Sequence, residues 1–154
     1  MKSKLLSLLC ITAGLLAAGA SSARAAELRV ITITTSDAMK FDVTTITAAP
    51  GEELKVVLVN PGSMPKLAMG HNWVLLKAGT DVTAFSNAAV SAGAAADYLP
   101  ADFKASIIAS TKLIGGGEKT EITFKAPAEK GDYVFLCTFP PHAMIGMKGT
   151  LTVK

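Results

Sequence analysis

The chain has 154 residues, half of them hydrophobic, and its 15 Lys and Arg side chains outnumber its 12 Asp and Glu side chains. The three surplus positive charges, Lys2, Lys4 and Arg24, all lie within the first 25 residues. Without that segment the charges balance, which argues against binding to nucleic acid or to an anionic membrane surface.

The first 25 residues predict a secretory signal peptide. Two lysines give a positive start, residues 5–20 form an apolar run, and Ala23-Arg24-Ala25 is a small-residue cleavage site. The run is shorter than the roughly 20 residues that span a bilayer. We therefore expect a soluble periplasmic protein of residues 26–154, which is long enough for a single domain with a sizeable core.

Of the two cysteines, only Cys137 lies outside this signal. Cys10 leaves a lipoprotein signal open, but Leu9 before it is bulky where lipoprotein processing needs a small residue. A single thiol in a compartment that permits disulfides is paired between chains, reactive or bound to a metal. The ordinary alternative is an inert buried cysteine. It is disfavoured because two further potential ligands, His142 and Met147, lie close to Cys137 in the sequence.

Short β-branched segments separated by turn residues follow the signal. Alternation and composition predict strands over residues 28–34, 39–43 and 44–47, and another within 52–60. Asn60-Pro61-Gly62 ends the last of these. A loop rich in Met and Pro then leads to His71, at the start of a predicted strand over residues 71–77.

One helical segment interrupts the strands. Thr80 or Asp81 can cap a helix that ends near Ala96, and Gly93 weakens its later part. The run Gly115-Gly116-Gly117 predicts a turn that leads into a strand. A phosphate-binding loop is disfavoured there, because no Gly-Lys-Ser/Thr ending and no helix follows.

The last strands are predicted over residues 118–125, 132–138 and 148–154. Seven or eight short strands and one insertion predict an all-β Greek-key β-sandwich, a single domain with a helical flap at about residues 81–110. Strand alternation groups Cys137 with Tyr133 and Phe135, and His71 with the core residue Trp73, so both potential ligands should point inward.

Four potential metal ligands converge at one end of such a sandwich. Cys137 ends one strand, His142 and Met147 lie on the loop after it, and His71 begins another strand. One thiolate, two imidazoles and a weak thioether form the ligand set of blue-copper electron-transfer sites. Zinc fits less well, because structural zinc sites use four strong ligands. We also expect Asn72 to hydrogen-bond to the Cys137 loop and the Phe139 backbone N–H to reach the thiolate sulfur.

The chain resembles azurin-type cupredoxins, a family of blue-copper proteins. The resemblance covers most of residues 26–154 and is carried by 61–66 (PGSMPK), 69–75 (MGHNWVL), 97–100 (DYLP), 111–115 (TKLIG), 117–119 (GEK), 137–140 (CTFP) and 147–150 (MKGT), together with His142. It implies one type 1 copper ion held by His71, Cys137 and His142, with Met147 as a long axial ligand and the Gly70 carbonyl as a weak contact opposite. It also implies a cupredoxin sandwich whose helical flap matches the insertion.

The chain departs from azurins in its ligand loop. Four residues separate His142 from Met147 where azurins usually have three, a spacing similar to that of auracyanins. Met144 is the alternative axial ligand, but the segment that follows Met147 fits the family pattern better. Pro141 stands where glycine is common in azurins, and the cysteines of the azurin disulfide are missing.

These features predict a periplasmic protein that cycles one electron between Cu(II) and Cu(I). It should not be an enzyme, because only two histidines exist and both serve one metal site. Redox partners should dock on an exposed apolar patch around His142, formed by Met64, Pro65, Met69, Pro141, Ala143, Met144 and Ile145. A copper-carrying or delivery protein is the alternative, but it would expose its metal more and often has methionine-rich arrays.

Overall fold

The computed structural model describes residues 28–154. The predicted signal peptide and Cys10 lie outside the described residues. Within them, two sheets contain eight strands: β1 (Arg29–Thr34), β2 (Thr45–Ala48), β3 (Glu53–Val59), β4 (Val74–Leu76), β5 (Ile107–Ser110), β6 (Lys119–Lys125), β7 (Gly131–Leu136) and β8 (Lys148–Val153). The helices are α1 (Lys66–Met69) and α2 (Val82–Ala92), with 3₁₀ turns at Ala94–Ala96 and Ala101–Ser106.

The strands form a sandwich of a three-stranded sheet, β1-β3-β6, and a five-stranded sheet, β2-β8-β7-β4-β5. β1 pairs in parallel with β3, and β2 in parallel with β8, whereas the other pairs are antiparallel. The prediction of an all-β sandwich is therefore confirmed. No helix of residues 28–154 has both the length and the apolar character needed to cross a membrane.

The main core lies between the two sheets and follows the alternation of the strands. β3 buries Leu54 and every second residue after it. The rings of Trp73 and Phe135 pack with their centroids 5.4 Å apart. Cys137 belongs to this cluster together with Tyr133 and Phe135, as strand alternation predicts. Burying each large apolar side chain stabilises the fold by about 1.5–3 kcal/mol, so this end of β7 is firmly held.

A second, smaller core lies between the five-stranded sheet and α2. It contains Val74, Leu76, Phe85, Leu136 and Ala143. The strand residues in it are out of phase with those of the main core, because successive side chains point to opposite faces of a sheet. The helix thus covers the outer face of β4, which follows His71, and of β7, which leads to Cys137.

Several elements differ from the sequence predictions. Residues 39–43 are not a strand, because Met39 has a positive φ of 55°, although Phe41 still reaches the main core. The strand β5 was not predicted. α2 is capped by Asp81, as expected, but ends at Ala92 rather than near Ala96, because Gly93 leaves the helical conformation with a φ of 72°.

The glycine run before β6 is a turn, as predicted, and packs closely against the loop before α1. A Cβ on Gly115 would lie 2.7 Å from the Lys66 nitrogen, and one on Gly116 would lie 2.5 Å from the Gly62 oxygen. The Gly116 N–H also donates to the Met64 carbonyl (2.9 Å). The absence of side chains here therefore permits the contact that supports the segment leading to His71.

Candidate metal centre

His71 lies before β4 rather than within it as predicted, and a backbone bridge holds it in place. Its N–H donates to the Ile114 carbonyl (2.9 Å), and the Ile114 N–H donates back (2.8 Å). The preceding Gly70 is buried, and a Cβ there would meet the Lys66 carbonyl oxygen at 2.6 Å. The backbone at His71 is therefore fixed by Ile114, which is distant in sequence, and by the neighbouring helix α1.

The His71 ring is fully buried, yet neither ring nitrogen has a hydrogen-bond partner within residues 28–154. Leaving a buried polar atom unpaired costs about 1–3 kcal/mol. Burial also lowers the pKa of His71, against the opposing charge of Asp37. A neutral imidazole with free nitrogens is the form that binds a metal ion.

Cys137 directly follows β7, which ends at Leu136 rather than at residue 138 as predicted. Its N–H donates to the Met147 carbonyl (3.1 Å), and its thiol is fully buried. Burial raises the pKa of the thiol to about 12, although hydrogen bonds from the backbone N–H groups of Asn72 and Phe139 oppose that shift. Only a cation beside the sulfur would make the thiolate stable here.

His142 completes the group from a compact loop. Its Nδ1 lies 3.4 Å from the Cys137 Sγ, and its ring stacks on that of His71 with centroids 4.9 Å apart. Burial and the neighbouring His71 lower the pKa of His142 to about 4. Both imidazoles are thus neutral at neutral pH.

The ligand atoms of His71, Cys137 and His142 all lie within 4.8 Å of one another. Two imidazoles and one thiol suit copper or zinc, and carboxylate oxygens, which magnesium and calcium prefer, are absent from the group. The unpaired ring nitrogens of His71 and the buried Cys137 sulfur, whose thiolate form needs a neighbouring cation, fit a metal such as copper.

Met147 closes the ligand loop from inside. Its N–H donates to the His142 carbonyl (2.9 Å), its carbonyl accepts from Cys137, and its side chain is fully buried. Met144, in contrast, is 67% exposed. The ligand loop accommodates its one extra residue, relative to azurins, by successive turns and by Gly146, which has a φ of 104°. This placement favours Met147 over Met144 as the axial ligand, and the axial role, like the weak contact of the Gly70 carbonyl, stays a prediction.

Comparison with known proteins agrees with this geometry. A model of the copper-binding proteins of the plastocyanin/azurin family matches residues 28–154. The chain belongs to this family. The azurin of Pseudomonas aeruginosa strain PAO1 is 43% identical over 122 residues, which cover 77% of the chain and 80% of that azurin. Auracyanin-A of Chloroflexus aurantiacus is 40% identical over 117 residues, which cover 75% of the chain and 68% of that auracyanin.

Solved structures show the same likeness. Dithionite-reduced auracyanin from Roseiflexus castenholzii superposes with a TM-score of 0.71 at 40% identity, covering 81% of the chain and 96% of that auracyanin. The predicted azurin-type family with auracyanin similarity is confirmed, and so is copper as the cofactor. His71, Cys137 and His142 therefore form a candidate metal site of the kind that is typical of type 1 copper centres.

Asn72 joins the two ligand segments. Its Oδ1 accepts from the Thr138 N–H (2.8 Å), and its Nδ2 donates to the Thr138 hydroxyl (2.7 Å) and to the Asp97 carbonyl (3.0 Å). The hydrogen bond expected between Asn72 and the Cys137 loop is thus present. The third partner, the Asp97 carbonyl, was not foreseen, because a backbone carbonyl has no signature in the sequence.

The surface above the centre differs in two places from the predicted patch. Met64, Met144 and Ile145 are exposed, as are Pro65 and Pro141, while Met69 is half-buried. Ala143 is wrongly assigned to the surface, because it is only 5% exposed and packs in the second core. Leu67, which was not predicted, is 74% exposed on α1, a helix with no buried residue.

Proposed function

We propose that the chain is a periplasmic electron carrier with one type 1 copper site. His71, Cys137 and His142 would hold the metal, with Met147 as the weak axial ligand and the Gly70 carbonyl opposite. Copper bound there supplies one-electron exchange between Cu(II) and Cu(I). The backbone N–H groups of Asn72 and Phe139 orient the Cys137 sulfur and compensate its charge.

The observation that carries this proposal is the burial of three potential ligands whose backbones are all held by hydrogen bonds. The side chains of His71 and Cys137 are fully buried, and that of His142 is 1% exposed. Backbone hydrogen bonds join His71 to Ile114, and join both Cys137 and His142 to Met147. A donor set fixed in this way changes little when the charge of the site changes, so the barrier to electron exchange stays small.

The exposed apolar side chains support docking of a redox protein at this end of the molecule. Because the His142 ring is itself buried, its loop neighbours Pro141 and Met144 form the surface through which a partner would approach. Exposed apolar patches mark interaction sites. With balanced charges after removal of the signal, brief apolar docking is favoured over strong charge steering.

A copper-delivery protein is the competing function, and the burial of all three ligands disfavours it. The two are separated by adding Cu(II) to metal-free protein. An electron carrier gives an intense blue colour, a reversible redox titration, and slow loss of copper to a chelator. A colourless complex would overturn the proposal, and rapid loss to the chelator would favour delivery. Cys137→Ser is the control, since it removes the thiolate and the colour.

The proposed location depends on the N-terminal sequence. Expression of the full chain in a Gram-negative host should yield periplasmic protein that begins at or near Ala26. Cytoplasmic protein that retains Met1 would contradict this location, without bearing on the copper chemistry. Neither nucleic-acid binding nor membrane insertion forms part of the proposed function.

A further inference from the structure

Two consecutive residues after α2 have an unfavourable backbone conformation. Asp97 has φ 50° and ψ 28°, and Tyr98 has a φ of 55°. Left-handed conformations cost free energy in any residue with a Cβ, and they persist only where the surroundings impose them. The structure therefore contains contacts that hold this turn.

The turn is held from the end of α2. The Tyr98 N–H donates to the Gly93 carbonyl (3.0 Å), and the Asp97 N–H donates to the Ala94 carbonyl (3.0 Å). In this conformation the Asp97 carbonyl accepts from the Asn72 Nδ2 at 3.0 Å and from the Thr138 hydroxyl at 3.4 Å. The strained backbone thus directs the Asp97 carbonyl at Asn72 and Thr138, the pair of residues that joins the ligand segments.

The Tyr98 side chain contacts the centre by a second route. Its ring meets the edge of the Phe139 ring, with centroids 5.2 Å apart and planes at 69°. Phe139 packs in turn on the His142 ring, at 4.9 Å. Phe139 and Asn72 are the two residues whose backbone N–H groups donate to the Cys137 sulfur. Both are therefore in contact with the 97–98 turn.

We propose that Asp97 and Tyr98 are positioning residues of the copper centre, and that their strained turn holds the Asn72 and Phe139 N–H groups against the Cys137 sulfur. We call this turn the 97–98 brace. Hydrogen bonds to the cysteine sulfur tune the potential of blue-copper sites. Because such bonds withdraw electron density from the thiolate, a tight brace raises the reduction potential, and a loosened brace lowers it.

The backbone conformation can be tested with the matched variants Asp97→Gly and Asp97→Val. Both remove a carboxylate that makes no hydrogen bond or ion pair within residues 28–154. Glycine accepts a positive φ, whereas a β-branched residue resists it. In metal-free protein, backbone amide exchange at Asn72 and Phe139 should be about tenfold faster in Asp97→Val than in Asp97→Gly.

The copper-loaded variants provide a measure that general loss of stability would not change. Asp97→Val should have a lower reduction potential and a shifted visible absorption band, while Asp97→Gly matches the wild type. Equal exchange rates and equal potentials in the two variants would overturn the proposal.

Tyr98→Asn decides the matter if Asp97→Val does not fold, as judged by near-ultraviolet circular dichroism. Asparagine tolerates a positive φ but lacks the ring. Exchange should then quicken at Phe139 more than at Asn72, and the potential should fall. Unchanged exchange and potential would overturn the proposal.

The inference rests on the copper site of the proposed function, but the metal-free exchange measurement does not. If the wild type formed no blue copper complex, the electron-carrier proposal would fail. The difference in exchange between Asp97→Gly and Asp97→Val would still test the brace.

Discussion

The two histidines of the candidate metal centre are held in place by different parts of the chain. His71 is held by its bridge to Ile114, which is distant in sequence, and by the tight packing of Gly70 against Lys66 and Leu113. His142 is held by a loop that folds on itself, through hydrogen bonds to Phe139 and Met147. One ligand thus depends on the sandwich as a whole, and the other depends mainly on local turns.

The structure joins these two regions through Asn72. This residue follows His71 and bonds to Thr138, which follows Cys137. Changes at Asn72 should therefore affect both regions together, whereas changes within one region should leave the other largely intact.

Asn72→Ala should have the largest effect. It removes three hydrogen bonds and leaves the buried Thr138 N–H unpaired, so metal-free protein should lose about 3 kcal/mol of unfolding free energy in denaturant titrations. Thr138→Val is the control, because it keeps the backbone bond to Asn72 and removes only the hydroxyl, at a cost of about 1 kcal/mol. Equal losses in the two variants would contradict the bridging role.

The next test compares the two regions through a pair of glycines. Gly70→Ala places a Cβ against the Lys66 backbone, so the His71 segment must move, at a cost of about 1–3 kcal/mol and with weaker copper binding. Gly146→Ala meets no atom within 4 Å and is disfavoured only by its φ of 104°, at a cost of about 1–2 kcal/mol. Denaturant titrations and copper titrations measure both quantities.

The outcome separates the two modes of support. Weaker copper binding in Gly146→Ala than in Gly70→Ala would show that the His142 loop, and not the packing around Gly70, limits the site.

The unequal surroundings of the histidines predict a pH effect on metal-free protein. The His142 pKa of about 4 lies below its ordinary value of 6.5, so between these values the unfolded chain binds more protons than the native protein. Stability should therefore fall by about 2 kcal/mol from pH 7 to pH 5, and little further below pH 4 on account of this residue. Denaturant titrations at these pH values measure the change.

His142→Gln should lose most of this dependence, since glutamine does not titrate. A part should remain, because burial also lowers the pKa of His71. A full pH dependence in His142→Gln would contradict the assignment to His142.

Much of this organisation follows from residue types and spacing. Alternation along the predicted strand placed Cys137 inward with Phe135, as the structure has it. The rarity of histidine and cysteine predicted the ligand candidates, which the structure brings together. The strand predicted over residues 39–43 was wrong, because Phe41 and its neighbours contact the core from an irregular segment. The pairing of β5 with β4, the burial of Ala143 under α2 and the carbonyl of Asp97 arise from tertiary contacts, which leave no local pattern.

The smallest effect on the centre itself is expected at the surface. Met144→Glu and Met64→Glu change exposed side chains, so stability should change by less than about 0.5 kcal/mol. The blue absorption should also stay as in the wild type. Electron transfer to a redox partner should nevertheless slow, because a charge in the apolar surface must be desolvated on docking. Stopped-flow kinetics with a purified c-type cytochrome would measure this.

Val30→Glu is the matched control for these surface variants, because Val30 is 54% exposed on β1, in the opposite sheet from the strands that flank the ligand loop. It introduces the same charge away from both ligand regions, so partner kinetics should stay as in the wild type. Slowing in Val30→Glu equal to that in Met144→Glu would mean that net charge governs the encounter. Unchanged kinetics in all three variants would place docking elsewhere. Slowing confined to Met64→Glu and Met144→Glu would mean that the His71 loop and the His142 loop, held in such different ways, together form one docking surface.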